Sequence, residues 1–201
     1  MLITKIFNVE SSHRVVNCSS SRCKYSIHGH SAVIELTLEC DKPDNGGMVY
    51  DFGLMKSTIK EFIDSMDHCQ ILYMNDDKNY IDFIKNFNQR YIILPVSPSA
   101  EFLSAYIFQF VRNILEHTKM ANGEGHVKVY SVKYHETKTG SATCFENDLI
   151  NWFPETLVPL VNFSDGVVAD WSKDLKGIFI ENDSPKVVKN KPTEQQVAKN
   201  W

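Results

Sequence analysis

The chain has 201 residues, 43% hydrophobic and 23% charged, which suits one globular domain with a short appendage. A formal net charge of -4 at pH 7 argues against a nucleic-acid-binding protein, because such proteins carry a clustered excess of Lys and Arg. No apolar run approaches the roughly 18 residues of a membrane span, and the amino terminus does not resemble a signal peptide. Five irregularly spaced cysteines favour free thiols in a soluble, cytoplasmic protein over a secreted disulfide framework.

The first quarter of the chain predicts two strands joined by a loop. Residues 2–9 alternate loosely between polar and apolar side chains, which predicts a half-buried strand. Residues 10–27 show little periodicity and predict an exposed loop of the kind that carries function. Residues 28–40 alternate regularly and predict a strand with one apolar face. The turn-forming residues 42–47 then predict that residues 48–50 return antiparallel to that strand.

Two amphipathic helices are predicted next. Asp51 is a suitable N-cap for a helix whose apolar residues continue at helical spacing to Met66. Ser97 and Pro98 are suitable cap and first-turn residues for a second helix, whose apolar stripe continues to Leu115. This stripe indicates core packing.

Residues 76–95, between the helices, are polar and aromatic and predict a short helix before a small strand at residues 91–94. Residues 127–137 alternate as a further strand, with which residues 142–146 can pair.

The chain changes character after residue 146. We therefore expect a catalytic domain over residues 1–146, a packed extension over residues 147–181 and a flexible tail over residues 182–201, where the sequence is mostly polar.

Three histidines form a candidate metal site. His28 and His30 lie two residues apart at the start of a predicted strand, so their side chains share one face, and Gly29 between them allows close backbone approach. His13 follows the first predicted strand. If the two strands pair, three imidazoles converge and leave a fourth position open, which is typical of catalytic zinc.

A competing interpretation is a structural zinc site made by Cys18, Cys23, His28 and His30. The spacing of the cysteines is close to zinc-finger usage, whereas two histidines separated by one residue are atypical.

Five further residues have side chains suited to proton transfer or ligand binding. Cys23 lies between two cationic residues, which favour the reactive thiolate. An aspartate can orient the neighbouring imidazole in the pair Asp67 and His68. Glu101 lies in the first turn of the second predicted helix, where the dipole favours a carboxylate whatever its function. Glu136 ends an apolar strand and therefore needs a donor such as a ligand N–H pair.

Seven sequence elements, in this order and approximate spacing, resemble the 6-pyruvoyltetrahydropterin synthase and 6-carboxytetrahydropterin synthase family. They are Phe7 with residues 11–14, Cys23, residues 28–30, residues 47–52, residues 66–68, residues 97–101 and residues 134–137. The resemblance implies the tunnelling fold, an α+β fold in which an antiparallel sheet carries two helices on one face. It also implies a homo-oligomeric barrel, commonly a hexamer, which would remove exposed strand edges.

The resemblance also implies roles for eight residues. They are the zinc ligands His13, His28 and His30, the base Cys23, the proton-relay pair Asp67 and His68, and the pterin-binding residues Glu136 and Glu101.

The substrate implied by the resemblance is 7,8-dihydroneopterin triphosphate. We expect the carboxy branch, which forms 6-carboxy-5,6,7,8-tetrahydropterin with release of acetaldehyde and triphosphate on the route to 7-deazaguanine compounds such as queuosine. Four residues separate Cys23 from His28, between the three and five usual in the carboxy and pyruvoyl branches. Three alternatives stay open. The protein is the pyruvoyl enzyme, or it is a non-catalytic pterin- or purine-binding protein, or the base is Cys18. The segment 76–95 is interpreted as an insertion.

Overall fold

The computed structural model describes residues 1–153, 156–181 and 187–190. Numbered in chain order, its strands are β1 Leu2–His13, β2 His28–Cys40, β3 Cys69–Tyr73, β4 Tyr91–Leu94, β5 Thr118–Met120, β6 Val127–His135, β7 Ser141–Phe145, β8 Asn162–Phe163 and β9 Val187–Asn190. Its helices are α1 Ser21–Tyr25, α2 Thr58–Asp64, α3 Lys78–Phe87, α4 Ala100–Glu116, α5 Glu146–Trp152, α6 Asp165–Val168 and α7 Lys173–Phe179, with 3-10 turns at Leu54–Lys56 and Val158–Leu160.

The main sheet is mixed, with strand order β7-β6-β2-β1-β3-β4-β8. Strands β7, β6, β2 and β1 pair antiparallel, as predicted. Strand β3 pairs in parallel with both β1 and β4, and β4 pairs antiparallel with β8. The α+β class is confirmed, and the insertion and the extension widen the sheet beyond its antiparallel part.

Strands β1 and β2 form the longest pairing, in continuous register from Leu2 opposite Glu39 to His13 opposite His28. The prediction that residues 10–27 are all loop is therefore wrong in two parts of this segment. Residues 10–13 continue β1, because the first residues of β2 supply their backbone hydrogen-bond partners, and residues 21–25 form α1. Residues 10–13 are all polar, so the alternation of apolar residues does not report this part of the strand.

The hydrophobic core lies between the sheet and the helices packed on one of its faces. The predicted apolar face of β2 is buried, with Ala32, Ile34, Leu36 and Leu38 each at most 1% exposed. Helix α4 packs against β6 and β7, and the apolar stripe predicted for it is largely buried.

Three local predictions need correction. The cap of α4 is Ser99, whose Oγ accepts a hydrogen bond from Phe102 N at 3.4 Å, and Ser97 precedes it. Residues 48–50 form no strand, because Met48 N donates to the Asp44 carboxylate inside the turn. The helix predicted from Asp51 is a 3-10 turn followed by α2, with a break at Ser57.

The insertion contains α3 and β4, as predicted for residues 76–95. Strand β3, which precedes it, was not predicted. The extension after residue 146 contributes Leu149, Val167, Trp171 and Leu175 to the same apolar core cluster as the sheet.

Most of the predicted flexible tail, residues 182–201, lies outside the described residues. Its described part, β9, pairs in parallel with β5. None of the helices in the described ranges has the length and apolar character needed to cross a bilayer.

Candidate functional site

The three candidate histidines meet at one end of the β1–β2 pair. His13 ends β1 directly opposite His28, which begins β2, and His30 lies two residues further along β2. The period of two places His28 and His30 on the same face of the sheet. One ring nitrogen of each histidine lies within 4.8 Å of those of the other two, a spacing that can hold a metal ion.

Backbone carbonyls orient two of the rings. Nδ1 of His28 lies 3.0 Å from the carbonyl oxygen of Ser26. A ring N–H of His13 donates to the carbonyl of Pro98, and because Nε2 of His13 has no hydrogen-bond partner, the donor is Nδ1. Nε2 of His30 is likewise buried without a hydrogen-bond partner. Such outer hydrogen bonds select the tautomer that leaves Nε2 free as a ligand.

Burial holds His13 in its neutral form. The pKa of His13 is lowered from 6.5 to about 4, first by desolvation and then by the nearby imidazoles of His28 and His30. A neutral imidazole is the form that binds a metal. His13 is therefore deprotonated at neutral pH before any ion arrives.

The donor set is suited to zinc. Three imidazoles with a remaining open position match catalytic zinc sites. Among the residues that the structure describes, the ligand group comprises these three histidines and includes neither Cys18 nor Cys23. The geometry thus gives no support to the four-ligand structural site.

Glu136, the residue after β6, extends its carboxylate toward the histidines. Its Oε1 lies 3.4 Å from Nε2 of His13 and 3.7 Å from Nε2 of His30. A carboxylate so close to two of the candidate ligand nitrogens can accept hydrogen bonds from a ligand held at this site.

Asp67 and His68 lie in the turn between α2 and β3. Oδ1 of Asp67 accepts a hydrogen bond from Glu10 N at 2.7 Å, and Oδ2 lies 3.7 Å from Nε2 of His68. The His68 side chain is 80% exposed, so it is accessible to a substrate.

One cleft is lined by residues of both the histidine cluster and the turn at Asp67 and His68. It has a volume of about 630 Å³, and its lining includes His30 of β2, His68 of the turn, Gln70 of β3 and Arg90, which precedes β4. The cleft therefore joins one metal-site histidine, His30, to His68. Its lining does not include the other candidate residues, His13, His28, Cys23, Asp67, Glu101 and Glu136.

Cys23 lies on α1, where its carbonyl oxygen accepts a hydrogen bond from Val15 N at 2.8 Å. This bond ties α1 to the chain two residues beyond His13. The thiol of Cys18 instead donates to the carbonyl of Ser20 at 3.2 Å, within its own loop. Glu101 lines a separate pocket beside α5, which none of the three histidines lines.

The structure adds a network that the sequence did not predict. Arg14 is bidentate to the buried Asp76 and lies over the ring of Tyr80, 4.0 Å from its centroid. Gln70 bridges Ser12 Oγ (2.7 Å) and the hydroxyl of Tyr80 (3.2 Å). Ser12 and Arg14 flank His13, so the insertion braces this ligand from both sides. No pattern within residues 76–95 indicates that Asp76 and Tyr80 contact the residues beside His13.

Comparisons with known proteins agree on one family. Residues 2–147 match the family described as 6-pyruvoyl tetrahydropterin synthase. A 6-carboxy-5,6,7,8-tetrahydropterin synthase of Helicobacter pylori is 35% identical over 97% of this chain and 99% of its own, so the match continues into the extension. The Aquifex aeolicus protein of the same name is 32% identical over 70% of this chain and 94% of its own.

Two solved structures share the fold. An uncharacterized protein of Wolinella succinogenes has a TM-score of 0.59 at 20% identity, over 73% of this chain and 98% of its own. The 6-pyruvoyl tetrahydropterin synthase of Plasmodium falciparum has a TM-score of 0.51 at 16% identity, over 72% of this chain and 96% of its own.

Proposed function

The chain belongs to the 6-pyruvoyl tetrahydropterin synthase family, and we propose that it is a 6-carboxy-5,6,7,8-tetrahydropterin synthase. The proposed reaction converts 7,8-dihydroneopterin triphosphate and water into 6-carboxy-5,6,7,8-tetrahydropterin, acetaldehyde and triphosphate, in the formation of 7-deazaguanine compounds such as queuosine. The observation that carries the proposal is the buried cluster of His13, His28 and His30, with ring nitrogens left free for a metal, in a chain closely related to enzymes of this name.

We assign the metal as zinc, held by Nε2 of His13 and His30 and by the free ring nitrogen of His28. When bound, zinc supplies Lewis acidity toward the oxygens of the substrate side chain. The carbonyls of Ser26 and Pro98 keep two of the rings in the ligating orientation. The low pKa of His13 supports metal binding at neutral pH without competition from a proton at this ring.

Proton transfer is assigned to Cys23 and to the Asp67–His68 pair. A thiolate at Cys23 can remove a proton from a side-chain carbon of the substrate, and His68 can carry protons to or from oxygen. Asp67 is fixed by Glu10 N and orients His68. We prefer Cys23 to Cys18 as the base because α1 is tied to the chain just beyond His13.

Glu136 is assigned to hold the amino and ring N–H groups of the pterin beside the metal, supported by its distances to His13 and His30. Glu101 is assigned to a further part of the pterin pocket. Glu101 lines a pocket that none of the three histidines lines, and it lies three residues after Pro98, whose carbonyl accepts a hydrogen bond from His13.

We further propose a homo-oligomer, a hexamer by resemblance, in the cytoplasm. Within the described residues, β3 pairs with β1 only at Ser11 and Ser12, and the turn at Asp67 and His68 occupies Glu10, which leaves the outer side of residues 2–9 to pair with another subunit. The five free cysteines agree with a reducing compartment. Light scattering on the purified protein tests the oligomer, and a monomer at working concentrations would contradict it.

The decisive experiment is turnover of 7,8-dihydroneopterin triphosphate by the zinc-loaded protein, with mass detection of all products. We expect 6-carboxy-5,6,7,8-tetrahydropterin and acetaldehyde. The Cys23→Ala variant should lose about 100-fold or more of the rate, as expected for removal of a general base. Cys18→Ala is its matched control and should keep activity and zinc.

Other outcomes select the alternatives. Formation of 6-pyruvoyltetrahydropterin as the end product would move the protein to the pyruvoyl branch. Zinc binding and full assembly without any product would favour a non-catalytic pterin-binding protein. Loss of zinc in the Cys18→Ser, Cys23→Ser double variant would favour the structural zinc site. Glu136→Gln should raise KM and keep zinc, since the assigned role is substrate binding.

A further inference from the structure

Arg90 connects three segments of the chain around the Asp67–His68 turn. It precedes β4, and its side chain is 23% exposed. Nε donates to the carbonyl of Asp67 at 3.1 Å, and Nη2 donates to the carbonyls of Asp64 and Ser65 at 3.3 and 3.5 Å. These carbonyls belong to the end of α2 and to the turn itself. A planar guanidinium offers five N–H donors in a fixed geometry, whereas an ammonium group offers three on one nitrogen.

The remaining nitrogen of Arg90 binds the C-terminal extension. Nη1 donates to the carbonyl of Gly166 at 3.2 Å and to the carboxylate of Asp170. Both residues belong to α6 or the turn after it. The guanidinium thus lies between the extension on one side and the turn that carries His68 on the other.

The extension is seated closely on the residues next to Arg90. A Cβ atom at Gly166 would overlap the carbonyl oxygen of Gln89, so this position requires glycine. Ser164 N donates to the carbonyl of Tyr91 at 3.0 Å, and Tyr91 N donates to Ser164 Oγ at 3.0 Å. These contacts leave Arg90 little freedom to move.

The turn itself is strained. His68 has φ of 51°, a left-handed conformation that costs energy for a residue with a Cβ and persists only where surrounding contacts impose it. Three hydrogen bonds hold it: His68 N to the Glu10 carbonyl at 2.7 Å, Glu10 N to Asp67 Oδ1 at 2.7 Å, and Arg90 Nε to the Asp67 carbonyl. The first two tie the turn to β1, and the third comes from Arg90.

We propose that Arg90 is a positioning residue: it fixes the left-handed turn that presents His68 to the cleft, and the C-terminal extension in turn fixes Arg90. This rests on the proposed function only in assigning proton transfer to Asp67 and His68. The residues that match the family as a whole end at 147, and the extension beyond them supports this turn. Its contribution is geometric, because the hydrogen bonds of Arg90 to the turn go to backbone carbonyls.

The test compares Arg90→Met and Arg90→Lys with Arg112→Met in the full-length, zinc-loaded protein. Arg112 is a matched control, since its side chain is 33% exposed and pairs with Glu146 at the start of α5, outside the lining of the cleft. Native-state hydrogen exchange is measured at the amides of His68 and Glu10, together with kcat, KM, zinc content and melting temperature.

We expect Arg90→Met to speed exchange at the amides of His68 and Glu10 by about 10-fold or more, while amides of α4 stay protected. We expect kcat to fall by about 10- to 100-fold through misplacement of His68, with KM within about 3-fold and zinc retained. Arg90→Lys should lie between, and Arg112→Met should change none of these. Gly166→Ala, which displaces the extension, should reproduce the Arg90→Met pattern in weaker form.

The inference is overturned if folded Arg90→Met or Arg90→Lys protein shows wild-type exchange at both amides. It is also overturned if Arg90→Met lowers only the melting temperature while kcat per bound zinc is unchanged. A wild-type protein that does not turn over the pterin triphosphate refutes the proposed function instead, and the exchange measurement then decides whether Arg90 fixes the turn.

Discussion

Acidification of the metal-free protein should destabilise it through His13. The pKa of this imidazole is about 4 in the folded protein, against an ordinary value of 6.5, because burial and two neighbouring imidazoles disfavour its charge. Unfolding releases the ring into water, where it binds a proton. Since the unfolded chain binds more protons between these two values, stability is lost as pH falls from about 6.5 to about 4 and is unaffected above that window.

The magnitude follows from the difference between the two pKa values. At pH 5 the unfolded ring is almost fully protonated and the folded ring is not, which costs about 2 kcal/mol relative to pH 7. Below pH 4 the loss levels off at about 3 kcal/mol. The side chain is 4% exposed, so solvent screening does little to reduce this value.

The assay is urea unfolding at pH 7, 6 and 5 in the presence of a chelator, for the wild type and for His13→Gln. Glutamine is uncharged at all three values, and the other titrating groups are common to both proteins. The wild type should therefore lose about 2 kcal/mol more than the variant between pH 7 and pH 5. Parallel curves for the two proteins would refute the reasoning that burial of a neutral His13 opposes protonation.

Three further predictions concern the core and the insertion. Burial raises the pKa of the Cys69 thiol to about 12, so iodoacetamide at pH 8 should modify it only after unfolding, and modification of the native protein would contradict this. Trp171→Ala should lower the free energy of unfolding in urea by about 3–5 kcal/mol, because this residue is 4% exposed and its Nε1 donates to a buried serine hydroxyl. Trp152 is 66% exposed, so Trp152→Ala should lower it by about 0.5 kcal/mol or less. Equal losses in the two variants would refute this prediction. Asp76→Asn should lower the free energy of unfolding by about 3 kcal/mol, because it leaves the guanidinium of Arg14 partly buried without its anion. Adding Arg14→Met should recover part of that loss. An unchanged urea midpoint in the single variant would show that the ion pair is not needed for stability.

Local patterns in the sequence predicted most of the antiparallel part of the fold. Alternation along β2 predicted which face is buried, and helical spacing predicted the buried stripe of α4. The same period of two placed His28 and His30 on one face. Each of these features depends on the burial of an element's own residues, which the order of polar and apolar side chains reports directly.

The predictions failed where the local sequence has no hydrophobic pattern to report the element. Residues 10–13 are all polar and look like a loop, yet they are a strand because residues 28–31 pair with them. Strand β3 was missed because its first four residues are all buried, so it shows no alternation. The split of the helix predicted from Asp51 likewise does not follow from its apolar spacing, which continues through the break at Ser57.

The sequence by itself determined the residue types of the site, their order and the face on which two of the three histidines lie. Only the tertiary structure decided that His13 stands opposite His28, that Glu136 lies beside their ring nitrogens, and that the strained turn of His68 is held by Arg90. The physical reason is that side-chain periodicity records burial within one element, whereas register between strands and hydrogen bonds to backbone carbonyls arise only when separate segments meet.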